Sequence, residues 1–494
     1  MENIIKKKIF LIVAIWIYWW TRLHNLEALA VFLDEAAHIW WARLVWEIQP
    51  FHAASDGRLF NIIWTSLFWP FNSSLWIARA STIMVTVIGF ITTISIAYQL
   101  HSKQASIISG ILYVLLPYIS FFERMYLADP YMSTCSILLL WSSTKLSYKP
   151  YLLKNKIIVG MTIAAGMLSK ISFVVFLPVP FIAAAILNRS DKKHFIASAH
   201  AYILGIILLT PVIIILKFIG NSDMGIDLLY KKTSIRPIDM WQQAITSAPI
   251  LWNYFTTLFT PSVWYGGLIL IPLAIWKHTR VSIYIGITIL IGLVAVIITT
   301  NPGFLEARFI LPYATQMVIL MSMGIATAWK SWQSMTKNFN FLLVTIFGIS
   351  LYPAYQFITI SWNEPHQLQL PDRDKWEYVT GWPSGYGFQE IAKYYQQSPE
   401  NILLITLDLG GQQRLNTYLP PNSPITPVWT PPDKLESYLN TINNKNYVII
   451  IDSPKDNATV NELNINLSTI LEFPRPNKGS SLIITKIQKK QKPY

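Results

Sequence analysis

Residues 6–20 read KKKIFLIVAIWIYWW, and residues 32–38, just beyond them, read FLDEAAH. A basic triplet ahead of a continuous apolar and aromatic run is the opening of a membrane span. The run could be a signal peptide, but Thr21-Arg22-Leu23-His24 offers no small-residue cleavage site, so it reads as a retained first helix. An acidic pair, Asp34-Glu35, then sits just outside that span. The rest of the chain agrees with the lipid reading. Of 494 residues, 53% are hydrophobic and only 13% charged, against roughly 25% charged in soluble domains. The 20 Trp and 24 Tyr suit the headgroup level, where an amphipathic ring meets both phases. The net charge of +13 is dispersed in short clusters between apolar runs. That pattern points to topology and anionic headgroups, not to nucleic acid. The single cysteine, Cys135, excludes internal disulfides and Cys-based zinc sites.

Working outward, apolar stretches of about 20 residues fall near 8–23, 78–99, 104–122, 130–147, 156–170, 171–188, 195–217, 258–276, 281–299, 309–329 and 340–361, about eleven spans. Lys170 divides the pair at 156–188, which fits two short spans meeting at a tight turn. With Lys6 to Lys8 in the cytoplasm, the basic loops at Lys103, Lys145 to Lys156, Arg189 to His194, Lys277 to Arg280 and Lys330 to Lys337 all fall on the inner side. The outer side receives Asp34-Glu35, Glu123 to Asp129, 218–257 and Asn301 to Arg308. The Trp-rich segment 24–77, like 238–257, reads as helices lying in the interface plane. From about residue 362 the apolar runs stop. Short β-rich runs at Asn401 to Leu407, Tyr447 to Ile451 and Ser481 to Ile487 alternate with helical stretches at 387–397 and 433–442. The expected fold is an α-helical polytopic membrane domain over 1–361 followed by a small extracytoplasmic α/β domain over 362–494.

Charged side chains at a membrane mouth are costly and mark candidate sites. Asp34 can take a proton from a hydroxyl, or, with Glu35, ligate a hard divalent cation. On spacing alone, the capping of a helix over 35–47 by Asp34 is the leading alternative. Asp34 and His38, four residues apart, could make a two-ligand metal face, which is a weak signal. Asp56-Gly57-Arg58 reads as a turn with a surface pair, or as a place where Arg58 meets a lipid phosphate. Glu123-Arg124 with Asp129-Pro130 is either an interfacial ion pair or a bidentate phosphate fork. Lys170 and Arg308, the latter in Glu306-Ala307-Arg308-Phe309-Ile310-Leu311-Pro312, either snorkel or join Arg58 and Arg124 as four cations on one side. Such a cluster suits an anionic lipid headgroup. No P-loop, dinucleotide fingerprint or His-rich zinc signature is present.

The order of these pieces resembles the GT-C glycosyltransferases, in particular the protein O-mannosyltransferase and aminoarabinose transferase-like group. The resemblance rests on Asp34-Glu35 after the first span, Arg124-Met125-Tyr126-Leu127-Ala128-Asp129-Pro130, Gly166-Met167-Leu168-Ser169-Lys170, Glu306 to Pro312 and Trp382-Pro383-Ser384-Gly385-Tyr386-Gly387. It covers about residues 1–400. The His-Pro-Pro-like stretch of many members is replaced by Asp56-Gly57-Arg58-Leu59. The resemblance implies a GT-C fold, a polyprenyl-phosphate-linked sugar donor, an acceptor glycan, lipid or protein on the extracytoplasmic face, and inversion at the sugar. It implies Asp34 as the catalytic carboxylate with Glu35 beside it, and Arg58, Arg124, Lys170 and Arg308 around the donor phosphate. Asp129, His38 and Glu306 are further candidates. Cofactors and metal are left open, with a divalent cation as one option. A transporter would place its charges near mid-membrane in repeated halves, and neither feature is present. A non-catalytic scaffold would use the α/β domain as its binding module.

Overall fold

The computed structural model describes residues 2–49, 58–188, 191–218, 237–332, 337–397, 402–442 and, with short interruptions, 447–487. Asp56 and Gly57 of the expected turn lie outside the described residues. Helices cover each expected span: α1 (Glu2–Leu23), α4 (Ser74–Leu100), α5 (Lys103–Leu115) with α6 (Pro117–Glu123), α7 (Ala128–Tyr148), α8 (Leu153–Ser169), α9 (Val179–Leu187), α10 (Lys192–Phe218), α12 (Pro261–Lys277), α13 (Thr279–Thr299), α14 (Leu311–Trp332) and α15 (Lys337–Asn363). Between them lie α2 (Leu33–Trp46), α3 (Leu59–Ser66) and α11 (Pro237–Leu258). Among the described residues, five helices are long and apolar enough by themselves to cross a membrane, and two bent pairs qualify jointly. The protein is a multi-pass membrane protein.

The breaks have local causes. Pro117 lacks an N–H and keeps Leu116 out of the α region (ψ 126°), so α5 and α6 meet at 58°. Pro261 similarly starts α12 at 110° to α11. Lys170 is fully extended (φ −165°, ψ 132°) and ends α8, and a 3-10 turn, Ile171–Phe176, leads to α9. This is the tight turn expected at Lys170. Gly166 makes it possible, since a Cβ there would lie 2.4 Å from the Phe173 ring. The span windows of α4 and α14 are 72% and 83% buried, whereas those of α10 and α15 are 22% buried. The former pair therefore forms the bundle centre. The latter pair presents apolar side chains such as Ile207 and Ile346 outward, which only lipid solvates.

After α15 come a short helical stretch, Asp372–Lys375 running into a π-helical turn, Trp376–Thr380, then α16 (Phe388–Gln396), α17 (Leu409–Tyr418) and α18 (Leu435–Thr441). They flank a five-stranded sheet ordered β2-β1-β3-β5-β4, with β1 Ile402–Thr406, β2 Ile425–Trp429, β3 Tyr447–Ile451, β4 Leu467–Pro474 and β5 Ser481–Ile487. The first three strands are mutually parallel, and β5 is antiparallel to both β3 and β4. Leu404, Val448 and Ile484 of the sheet pack with Phe388 of α16 in one core. The expected strands and helices are present; β2, β4 and α17 are additional.

Candidate active site

The site is built on the first turn of α2. Asp34 does not cap this helix, because α2 starts at Leu33, and the Phe32 N–H instead donates to Glu35 Oε2 at 3.1 Å. Glu35 is fully buried. Its Oε1 accepts from Arg79 Nε (2.9 Å) and the Tyr126 N–H (2.7 Å), and its Oε2 accepts from Arg79 Nη2 (2.7 Å) as well as Phe32. A carboxylate has about four lone-pair positions, and all are engaged. Arg79 in turn donates to the Leu26, Leu29 and Ala30 carbonyls. The Glu35–Arg79 pair therefore clasps the link from α1 to α2 onto α4.

Asp34 is different. Its side chain is 28% exposed and accepts from Arg308 Nη1 at 2.8 Å. Burial alone would raise its pKa, but the charges of Arg308, then Arg58, outweigh this and hold the carboxyl well below the usual range. Arg308 is flanked by the Phe32 and Phe309 rings, 5.3 and 5.5 Å from its guanidinium carbon. Its Nε lies 2.5 Å from Glu306 Oε2. Arg58 Nη1 is 2.6 Å from His38 Nε2, and His38 Nδ1 is 3.2 Å from the Tyr126 carbonyl. A guanidinium only donates and a carbonyl only accepts, so His38 is the neutral Nδ1–H tautomer. Burial, then Arg58, lowers its pKa to about 3. Both ring nitrogens of His38 are thus engaged, Nε2 by Arg58 and Nδ1 by the Tyr126 carbonyl. Among the described residues no group of three His, Cys, Asp or Glu side chains could hold a metal.

Lys170 Nζ donates to Asp129 Oδ1 at 2.7 Å and sits 4.7 Å from the Phe309 ring centre. Arg58 and Lys170 both line a cavity of about 190 Å³ whose other walls are mainly apolar, including Val174, Val296 and Tyr313. Two cations in the wall of a mainly apolar cavity suit a ligand with an anionic head and a hydrocarbon tail.

Arg124 does not belong to this group. Its Nη1 donates to the Arg22 and His24 carbonyls (both 2.8 Å) and its Nη2 to Asn25 (3.0 Å), capping the end of α1. Neighbouring Glu123 is held by Arg22, Tyr18 and Tyr113. These two residues brace the bundle.

Comparisons with known proteins bear on the fold. Residues 59–215 match the family model described as dolichyl-phosphate-mannose-protein mannosyltransferase. The structure resembles ArnT from Cupriavidus metallidurans in the apo state, with TM-score 0.67 and 12% identity, covering 98% of each chain. It resembles the same enzyme bound to undecaprenyl phosphate at TM-score 0.64 and 12% identity, covering 97% of each chain. The archaeal oligosaccharyltransferase AglB from Archaeoglobus fulgidus, in complex with an inhibitory peptide and a dolichol-phosphate, matches at TM-score 0.54 and 10% identity, over 97% of this chain and 74% of that one. This chain has the GT-C fold. No curated protein sequence matches it.

Within this GT-C chain, sequence reasoning missed Arg79, whose signal was a charge inside an apolar run. It also missed the acids behind Arg308. Asp374 is fully buried and accepts from the Ala307 N–H at 3.4 Å. Burial, then Glu306, pushes Asp374 up to about 8 and Glu377 up to about 7, and burial raises Glu306 as well. Tyr378, on the same π-turn, packs edge-on against Phe32 at 4.8 Å. The Trp382 to Gly387 motif is explained by close approach. Gly385 (φ +72°) lies against the Val31 carbonyl, where a Cβ would come within 1.9 Å.

Proposed function

We propose that the protein is an inverting glycosyltransferase that moves a sugar from a polyprenyl-phosphate donor to an acceptor hydroxyl. The observation that carries this reading is a partly exposed Asp34 held by Arg308, near a mainly apolar cavity that Arg58 and Lys170 line. The donor phosphate takes the cavity mouth, with its prenyl chain along the apolar wall. Its oxygens compete with Asp34 for Arg308 and Arg58, and Asp34 becomes more basic as it loses their charge. Asp34 then accepts the proton of the acceptor hydroxyl, the hydroxyl oxygen bonds to the anomeric carbon, and the bond from that carbon to the phosphate oxygen breaks. The cations stabilise the charge gathering on the departing polyprenyl phosphate. Glu35, Arg79 and Arg124 are positioning residues in this scheme.

In the same reading the N-terminus is cytoplasmic, and α2, Arg308 and the region from 362 to 494 are extracytoplasmic, as the basic loops require. The test uses membranes and a radiolabelled polyprenyl-phosphate sugar. Asp34→Asn lowers transfer by 10²-fold or more, while donor binding persists. Undiminished transfer by that variant refutes the assignment.

A further inference from the structure

A larger cavity than the one at Arg58 and Lys170 lies at the sheet. It measures about 1020 Å³ and is lined by Lys375, Trp376, Trp382, Asp408, Asn477 and Lys478, among others. Its position follows from topology. Strand β1 pairs with β2 on one side and β3 on the other, so the chain leaves β1 in one direction and returns past it. In open α/β sheets ligands bind at such a switch point, outside the carboxyl ends of the strands. Leu407-Asp408 after β1 and Ser453-Pro454 after β3 both line this cavity.

An ion-pair network braces the wall at Trp382. Arg414 Nη2 donates to Asp452 Oδ2 at 2.6 Å, its Nη1 donates to the Trp382 carbonyl, and Arg475 pairs with the other oxygen of Asp452. One phosphate position is already taken. Asp408 caps α17 through Gly411 N–H (2.6 Å), so a carboxylate already occupies the helix terminus where a phosphate would bind. What remains are two indoles set almost at right angles, 85°, with centroids 6.4 Å apart, and side chains of both signs and both hydrogen-bonding senses. Aromatic surface beside mixed donors and acceptors, with the Arg373 guanidinium 4.7 Å over the Trp376 ring, fits an uncharged, polyhydroxylated ring.

The cavity also adjoins the candidate active site. Lys375, Trp376 and Thr380 line it, while Asp374 of the same short stretch meets the Ala307 N–H and Tyr378 meets Phe32. The stretch 374–380 thus touches both.

We propose that this cleft binds the saccharide portion of the acceptor and delivers it to Asp34. The proposal rests on the transferase reading for its purpose, but not for its test. The full-length protein in detergent is applied to an array of neutral oligosaccharides. The wild type retains one structural class of glycan. Trp376→Ala loses at least tenfold in binding, Trp376→Phe stays within threefold of wild type, and Asp34→Asn binds as wild type does. With the retained glycan as acceptor, Trp376→Ala raises the acceptor KM at least tenfold and leaves the donor KM unchanged. The cleft assignment is overturned if the wild type binds no glycan, or if Trp376→Ala binds as well as wild type with unaltered thermal melting. If instead Asp34→Asn transfers normally while array binding depends on Trp376, the transferase mechanism fails and the cleft stands.

Discussion

Adjacent carboxylates in this protein should have opposite phenotypes. Glu35→Gln keeps the shape of the side chain but replaces one oxygen by an NH₂ donor. Four donors converge on Glu35, from Phe32, Tyr126 and two nitrogens of Arg79, so the new amide must face a donor. Arg79 is 1% exposed and cannot turn to water. Removing one partner of a buried ion pair costs about 3–5 kcal/mol, and an orphaned backbone N–H adds about 1–3 kcal/mol, partly overlapping with the first. Asp34→Asn keeps an oxygen that can accept from Arg308, and Arg308 keeps Glu306, so the cost is that of a weakened hydrogen bond, about 1 kcal/mol. Yet it removes the group placed to take the proton, for which general-base catalysis is worth about 10²–10⁴-fold. The assay pairs thermal unfolding in one detergent with single-turnover transfer. Glu35→Gln should melt several degrees lower and yield little folded protein. Asp34→Asn should melt with wild type and be inactive. Equal melting losses in the two variants, or a stable but inactive Glu35→Gln, would refute the division into clamp and base.

Arg58→Ala should weaken donor use with little effect on folding. Losing one charge-assisted contact of about 1.5–3 kcal/mol raises the donor KM roughly 10- to 100-fold, measured with increasing polyprenyl-phosphate sugar. Lys170→Ala should do the same and also destabilise the fold, because it leaves the Asp129 carboxylate, 4% exposed, without its partner; Lys170→Arg should restore melting. His38, lowered to about 3, stays neutral at working pH, so the profile of kcat/KM should show no limb near the ordinary histidine value of about 6.5. Asp374 holds its proton up to about 8 in the folded chain and releases it near 3.9 when unfolded. The folded state thus binds more protons between those values. Its contribution to stability is complete below about pH 4 and is lost as pH rises through about 8, and Glu377, raised to about 7, acts in the same sense. Melting temperature should therefore fall from pH 5 to 9, and Asp374→Asn should flatten that slope.

The membrane fold was legible because lipid is a demanding solvent: long apolar helices leave a pattern that no soluble domain needs. The cation cluster was only half legible. Arg124 and Arg308 look alike in sequence, each beside an acid at the end of a span. Arg124 is caged by main-chain carbonyls of residues 22, 24 and 25, and carbonyls carry no side-chain signature. Arg308 meets Asp34 across 274 positions, a separation that only the assembled bundle closes. In the sheet, β2 escaped notice because Pro427 breaks a strand pattern. It is tolerated there because β2 is an edge strand. The other edge strand, β4, carries an irregularity between Thr469 and Leu471, which disturbs its alternation. In α17, Gly410 and Gly411 hide a helix whose start is fixed by the Asp408 cap.

The first turn of α2 is held from two sides, and this bears on why Asp34 stands where it does. From the bundle, Arg79 and Tyr126 fix Glu35. From the sheet region, the Val31 N–H donates to the Tyr418 hydroxyl at 2.9 Å and Gly385 lies on the Val31 carbonyl, while Arg43 Nη1, in the last turn of α2, reaches the Asn416 carbonyl at 2.8 Å. A carboxylate fixed only by the bundle would keep its distance from Arg308 but could tilt relative to an acceptor. One fixed only by the sheet could drift from the donor phosphate. General-base catalysis needs both distances within hydrogen-bond reach at once. Holding the turn from both sides meets that need, so residues far from the cations, such as Tyr418 and Gly385, belong to the geometry of the site although they take no part in its chemistry.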